Sequence, residues 1–474
     1  MRGNTKKGID HMGFGIKFEL YLPINQLDPA MFAKALFPIF LVFLTLWSCT
    51  KSPEGPELDP ETQALVLILL DELDPMDADP LLWDDEDLRW LDPLAGKSVI
   101  GLGEATHGTS EFFNAKHRIF RYMVEKHGYK IFAFEADFGE SLFINEAVQQ
   151  GNPEEIESLM LSKMHFWTWR TREVKELLEW MCTYNQGKAE EDKVHYVGVD
   201  CQFNTYHPEM ARSYLELSPV PFLAFADSVL SEVETADAEN YESFDQGAFD
   251  NHLVRLVALQ DSIDKYREVM ISASSEKEFL LHERIVEVIR QVSEVKYCRG
   301  DTQKLLDLRD KYMARNVSWY QDYYENKKIA VWAHNYHISD FESGVVGSMG
   351  NYLRYALGDQ YATIGFLFSK GTFTAVTMEG ENFSGLDTQT IDSDPKENSL
   401  NALMSYTELA AFSIEMNTIA NYLTWFNAFE KGMQYFFIGS AYNNNPGEYY
   451  LNFDPDLYHY LIYFENTSAS VLLN

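Results

Sequence analysis

Three acids and three histidines stand where short apolar runs end. Glu104 and His107 follow Ser98–Gly103, Glu135 follows Lys130–Phe134, Asp200 follows His195–Val199, and His334 and His337 follow Ile329–Ala333. One such residue is ordinarily a satisfied structural group, but four run ends agreeing point to a shared site. Glu104 and His107 are three apart in a turn, so the carboxylate can orient the imidazole and raise its basicity. A positioned base of this kind accelerates water attack by about 10²–10⁴-fold, and a cation near the developing oxyanion adds to that. No Gly-x-Ser-x-Gly elbow, motif cysteine or Gly-rich phosphate loop is present, so acyl-enzyme chemistry and nucleotide hydrolysis find no support. The same histidines and acids suit zinc or manganese. Metal-free hydrolysis, metal-dependent hydrolysis and binding without turnover therefore all remain open.

Stepping out from these residues, each run reads as a buried strand followed by a polar turn and a helix. Ala362–Phe368, Gln434–Ile438 and Tyr460–Phe464 read as further strands. Alternation of strands with helices predicts an α/β fold with a mostly parallel central sheet covered on both faces, where ligands bind beyond the carboxyl ends of the strands. From about 207 to 326 no strand is expected. Glu276–Tyr297 and Thr302–Glu325 read as long amphipathic helices, which makes this stretch a helical insertion. Gly371–Ser399 is polar and reads as loop with room for a hairpin, and acidic Leu58–Asp92 as a solvated face or loop.

The helix after the first strand carries Phe112, Ile119, Phe120 and Met123 as its apolar stripe, and Gly128 is placed to end it. At 100° per residue Lys116 falls about 40° from Phe112, in the middle of that stripe. A lysine there snorkels or meets buried acids, and Glu104 and Glu135 are the acids at hand. His117, Arg118 and Arg121 read as solvated charges on the outer side. His165-Phe166-Trp167-Thr168-Trp169 reads as core or as an apolar cavity wall. Arg309 and Asn316, seven apart, share a helix face directed either at the site or at solvent.

The chain has 474 residues, 46% hydrophobic and 23% charged, which is a globular composition. Its net charge of −35 repels a phosphate backbone, so no nucleic-acid partner is expected. Four cysteines without CxxC spacing make neither a disulfide framework nor a thiolate zinc site. The thirteen-residue apolar run Ala35–Trp47 is too short to span a membrane and fits a signal peptide behind Lys34. It closes as Leu46-Trp47-Ser48-Cys49, which resembles the lipobox of bacterial lipoproteins and implies lipidation of Cys49. The expected organisation is an extension over 1–30 ahead of a true start at Met31, a signal peptide over 31–49, a linker over 50–60, and a catalytic domain over 61–474. That places the protein in the bacterial cell envelope, touching the membrane only through its lipid anchor.

Gly103-Glu104-Ala105-Thr106-His107-Gly108-Thr109, with Phe132-Ala133-Phe134-Glu135, Tyr196-Val197-Gly198-Val199-Asp200, Arg309-Asp310 and Val331-Trp332-Ala333-His334-Asn335…His337, resembles the erythromycin esterase family from about Leu88 onward. The resemblance implies a metal-independent esterase, with no cofactor, on a three-layer α/β/α fold with added helices. Its base falls on His107, its carboxylates on Glu104 and Glu135, and its later histidines on His334 and His337. The family's essential arginine, nine positions after the base, falls on Lys116, which keeps the charge and loses the two-pronged grip. The expectation is then an ester, or a lactone, hydrolysed by water that His107 activates. Glu104 orients His107, Lys116 and His334 stabilise charge, and Glu135 holds one of those two in place. Asp200, Arg309 and Trp167 are the substrate-binding candidates.

Overall fold

Val99–Leu102 is apolar at every position but glycine, and all four residues are buried, as a central strand of a sheet covered on both faces requires. A computed structural model describes residues 58–473, apart from 299, 345 and 381. The extension, signal peptide, Cys49 and most of the linker lie outside the described residues. Asp59 and Pro60, assigned to the linker, already cap and open the helix Pro60–Glu72.

The strands of the main sheet are β1 (Asp74–Met76), β2 (Val99–Leu102), β3 (Tyr129–Asp137), β4 (His195–Asp200), β5 (Lys328–Trp332), β6 (Tyr361–Glu379), β7 (Asn382–Ile391), β8 (Ala411–Glu415) and β9 (Tyr460–Thr467). Their spatial order is β1-β8-β9-β6-β2-β5-β3-β4, β7 pairs with β6, and a tenth, two-residue strand, Ala441–Tyr442, pairs parallel with the far half of β6. From β9 to β4 every pairing is parallel, whereas β1, β8 and β7 join antiparallel. Successive strand residues point to opposite faces. Val99, Ile131, Val197 and Val331 thus enter one core, and Ile100, Phe132, Tyr196 and Trp332 the other.

Helices α1 (Ser110–His127), α2 (Phe138–Gln150) and α3 (Arg172–Asn185) follow the first strands. Between β4 and β5 lie α4 (His207–Glu216), α5 (Leu223–Ala238), α6 (Gln246–Lys265), α7 (Arg267–Ala273), α8 (Glu276–Tyr297) and α9 (Thr302–Tyr323), with no strand among them. The second core joins α1 and α3 to one face of the sheet, and the first joins α8 and α9 to the other. The architecture is three-layer α/β/α.

Some expectations need correction. Gln434–Phe436 is a strand, but it pairs antiparallel with Tyr450–Asn452 in a separate ribbon. Gly371–Ser399 is largely strand, because β6 runs on for 19 residues and β7 folds back along it. Edge strand β1 and its neighbour β8 were not anticipated. His117 is buried beside Trp180 with both ring nitrogens unpartnered among the described residues, and burial pushes it down to about 3. Arg118 is half-buried and donates to the Trp83 carbonyl at 2.6 Å.

Candidate active site

Strand register brings the site together. Leu102, Trp332 and Phe134 lie side by side across β2, β5 and β3, and Phe134 faces Gly198 on β4. The residues just beyond that row therefore emerge together. Between Phe134 and Asp137 the register against β4 slips by one residue, a bulge that falls on Glu135 and Ala136. Bulges re-aim a side chain, and here Glu135 is the residue re-aimed. The bulged backbone comes so close that a Cβ at position 198 would lie 2.3 Å from the Asp137 carbonyl oxygen, which only glycine avoids. At Gly103 a Cβ would lie 2.1 Å from Asn335 Oδ1. That Asn335 amide clamps β6, donating to the Phe366 carbonyl at 2.8 Å and accepting from its N–H at 3.1 Å.

Glu104 is fully buried and takes three donors: Lys116 Nζ at 2.5 Å, Trp332 Nε1 at 2.7 Å and His107 Nδ1 at 2.7 Å. Burial alone would raise its pKa, but the Lys116 ammonium and His107 hold it at about 2. Burial lowers Lys116 to about 8 against the pull of Glu104 and Glu135. The ammonium also sits 4.3 Å from the Trp332 ring centre. His107 lines a cavity of about 870 Å³. With Nδ1 bound to Glu104 and no partner on Nε2 among the described residues, Nε2 is the nitrogen left to that cavity.

A second charged group forms the floor. Arg309 grips Asp200 with two bonds, 2.9 Å from Nε and 2.7 Å from Nη2, and Nη2 also donates to Glu135 at 2.7 Å. Burial works against the Arg309 charge, but Asp200 and Glu135 hold it well above the ordinary arginine range. Glu135 is likewise held well below its ordinary value, against burial, by His337 and Arg309. His337 sits between Asp310 (2.7 Å) and Glu135 (3.2 Å), and despite burial these two carboxylates raise it to about 10. The ring is therefore an imidazolium at neutral pH. Arg309 Nη1 lies 3.1 Å from its Nε2, within hydrogen-bond distance.

His334 differs. Its backbone N–H donates to Glu135 at 2.9 Å, and its ring Nε2–H donates to the Ile438 carbonyl at 2.8 Å. Burial and neighbouring His107 lower it to about 3, so it is neutral with Nε2 committed.

The structure thus brings together His107, Glu135, Arg309, His334, His337 and Trp167 around one cavity, with Glu104 and Asp200 directly behind. Lys116 does not reach the cavity. It lies behind Glu104, because the α1 stripe that carries it is buried against the sheet. His334 has no charge with which to stabilise an anion. Asn316 serves the framework instead, donating to the Val199 carbonyl at 2.7 Å. Sequence reasoning gave no role to Asp310, although it adjoins Arg309, nor to Trp332, although it ends a strand beside Glu104. Thr168, whose hydroxyl donates to the His107 carbonyl at 2.7 Å, left no signal of its own. Among the described residues no three His, Cys, Asp or Glu side chains are placed to share a metal ion. The position between Glu135 and Asp200 where a cation would be drawn is filled by the Arg309 guanidinium.

The erythromycin esterase family profile matches residues 124–467, a span that begins inside α1, after the Gly103–Thr109 element. An erythromycin esterase type II of Escherichia coli is 27% identical over 356 residues, covering 68% of this chain and 81% of that protein. YbfO of Bacillus subtilis (strain 168), named as a hydrolase, is 26% identical over 366 residues, 70% of this chain and 77% of its own. A Bacillus cereus crystal structure shares the fold, with a TM-score of 0.74 at 22% identity over 87% of this chain and 99% of that one. Fold and relatives together define a hydrolase on a three-layer α/β/α sheet. The chain belongs to the erythromycin esterase family.

Proposed function

We propose that the protein hydrolyses a carboxylic ester or lactone with water activated by His107. The observation that carries this reading is the His107 ring, fixed through Nδ1 by buried Glu104 and left with a free Nε2 on the cavity. Nε2 takes a proton from water as the water attacks the acyl carbon, and the carbonyl oxygen gains the negative charge; collapse of this adduct re-forms the carbonyl and breaks the acyl C–O bond, and the departing alkoxide takes the proton held on Nε2. The Arg309 guanidinium and the His337 imidazolium, both in the cavity lining, supply positive charge beside the charged oxygen. Lys116 keeps Glu104 ionised so that the His107 Nδ1–H stays engaged and Nε2 stays basic. Hydrolysis then needs no metal. His334 is engaged by the Ile438 carbonyl, and the Arg309 guanidinium already supplies the cation between Glu135 and Asp200.

The test is turnover of a panel of simple esters and macrolides by the full chain, beside His107→Ala and with chelator. The expected result is a fall in kcat of about 10²–10⁴-fold for His107→Ala, with no effect of chelator. Activity lost to chelator and restored by added metal would overturn the metal-free reading. The apolar run closing on Ser48-Cys49 supports a lipid-anchored protein of the bacterial cell envelope, which radiolabelled palmitate would test. Label should enter the chain and be absent from Cys49→Ser.

A further inference from the structure

The cavity has seven aromatic side chains in its lining. Phe166, Trp169, Tyr336, Phe341, Tyr435 and Phe437 each pack on another ring of the protein. Trp167 is the exception. It is half-buried, and among the described residues its indole has neither a ring neighbour nor an acceptor for Nε1–H. An aromatic side chain of this size gains from burying roughly 150–250 Å² and from offset stacking, and here no other ring of the described residues stacks on it.

Its position is nonetheless fixed. Trp167 opens a single helical turn, Trp167–Trp169, pinned to the reacting groups by its next two residues. The Thr168 hydroxyl donates to the His107 carbonyl at 2.7 Å, and Trp169 Nε1 to the Glu135 carbonyl at 3.2 Å. The turn that carries the Trp167 indole into the cavity lining is thereby anchored to the base. Three uncharged polar side chains of the lining are engaged within the protein: Gln202 on Asp200, Ser339 on the Tyr336 carbonyl, Thr168 on His107. A sugar ring asks for many such partners, and each hydroxyl left without one is costly out of water. A flat hydrocarbon ring asks for none.

Resting on the hydrolase reading above, we infer that Trp167 is the specificity-determining residue of this cavity, and that the substrates are esters bearing a flat, unsaturated ring system that stacks on its indole. Stacking binds ground state and transition state alike, so it acts on KM rather than kcat.

The experiment compares ethyl 2-naphthoate, its fully saturated decahydro analogue, a hydroxylated-ring ester and ethyl acetate on the full chain, Trp167→Leu and Trp167→Phe. The expected result for Trp167→Leu is a KM for ethyl naphthoate raised about tenfold, with kcat within about twofold and ethyl acetate unaffected. Trp167→Phe should recover most of the loss. The saturated analogue should not distinguish the wild type from Trp167→Leu. Equal losses on ethyl acetate would make Trp167 a purely structural residue. A saturated or hydroxylated ring preferred to naphthoate would overturn the substrate class. If the wild type turns over no ester, calorimetry with 2-naphthoate decides independently of catalysis. Tighter binding to wild type than to Trp167→Leu supports the stacking face, and equal affinity overturns it.

Discussion

Replacing Lys116 by Met tests whether Glu104 and Lys116 form a true buried ion pair. Both side chains are fully buried and 2.5 Å apart. Holding Glu104 at about 2 rather than its ordinary 4.5 is worth about 3 kcal/mol in favour of folding at neutral pH. Lowering Lys116 from 10.5 to about 8 costs a similar amount, about 3 kcal/mol. The pair as a whole is therefore close to neutral for stability, and the cost appears when one partner is removed. Lys116→Met leaves an uncompensated buried carboxylate and should destabilise by about 3–5 kcal/mol, as should Glu104→Gln, which leaves the ammonium. The double variant should lose much less than the sum. Urea unfolding followed by tryptophan fluorescence at pH 7 gives all three values. A double-mutant cycle with coupling below about 0.5 kcal/mol would refute the pairing and, with it, the means by which Glu104 is kept ionised beside His107.

Four further outcomes are expected. Because the Glu104 pKa is depressed, its contribution is fully present above about 4.5 and lost as pH falls towards about 2. Wild type should thus lose about 3 kcal/mol over that window, and Lys116→Met distinctly less, by urea midpoints across pH. The His337 pKa is raised, so its contribution is complete below about 6.5 and disappears as pH rises through about 10. Its NMR ring resonances should stay those of an imidazolium from pH 6 to 9, while Asp310→Asn should bring its titration down into that range. Arg309→Lys cannot keep two bonds on Asp200 and one on Glu135, and kcat should fall about 10²–10³-fold with the fold intact by circular dichroism. Gly198→Ala places a Cβ against the bulged β3 backbone and should destabilise by about 1–3 kcal/mol in urea unfolding.

What the sequence disclosed followed from where chemistry meets periodicity. The parallel strands β2 to β5 are buried on both faces, so they read as continuous apolar runs, and the polar residues closing them marked the site. Strands β1 and β8 escaped because each is short and gains its burial from a partner distant in sequence; Asp74 pairs with Ser413. The extension of β6 was hidden because its far half is partly exposed and largely polar, its regularity coming mainly from pairing with β7. Lys116 at the centre of an apolar stripe showed that it must meet an acid. Helical angles could not show that the acid would stand between it and the cavity. His334 and His337 look alike in sequence, three apart on one turn. They differ because Asp310, carried by another helix, charges one, and the Ile438 carbonyl, a hundred residues on, occupies the other. Neither neighbour is visible to local pattern.

The contact of His334 with Ile438 has an evolutionary consequence. The segment that carries Phe437, Gly439 and Ser440 into the cavity is fastened by main-chain atoms, the Ile438 carbonyl to His334 and the Ile438 N–H to the Ala105 carbonyl at 2.8 Å. A peptide group presents the same donor and acceptor whichever residue bears it. Side chains on this wall can therefore be exchanged without loosening its attachment to the histidine or the turn that holds Glu104 and His107. Descent with altered substrate preference is open to such a scaffold through ordinary point substitutions, while the reacting groups are inherited unchanged.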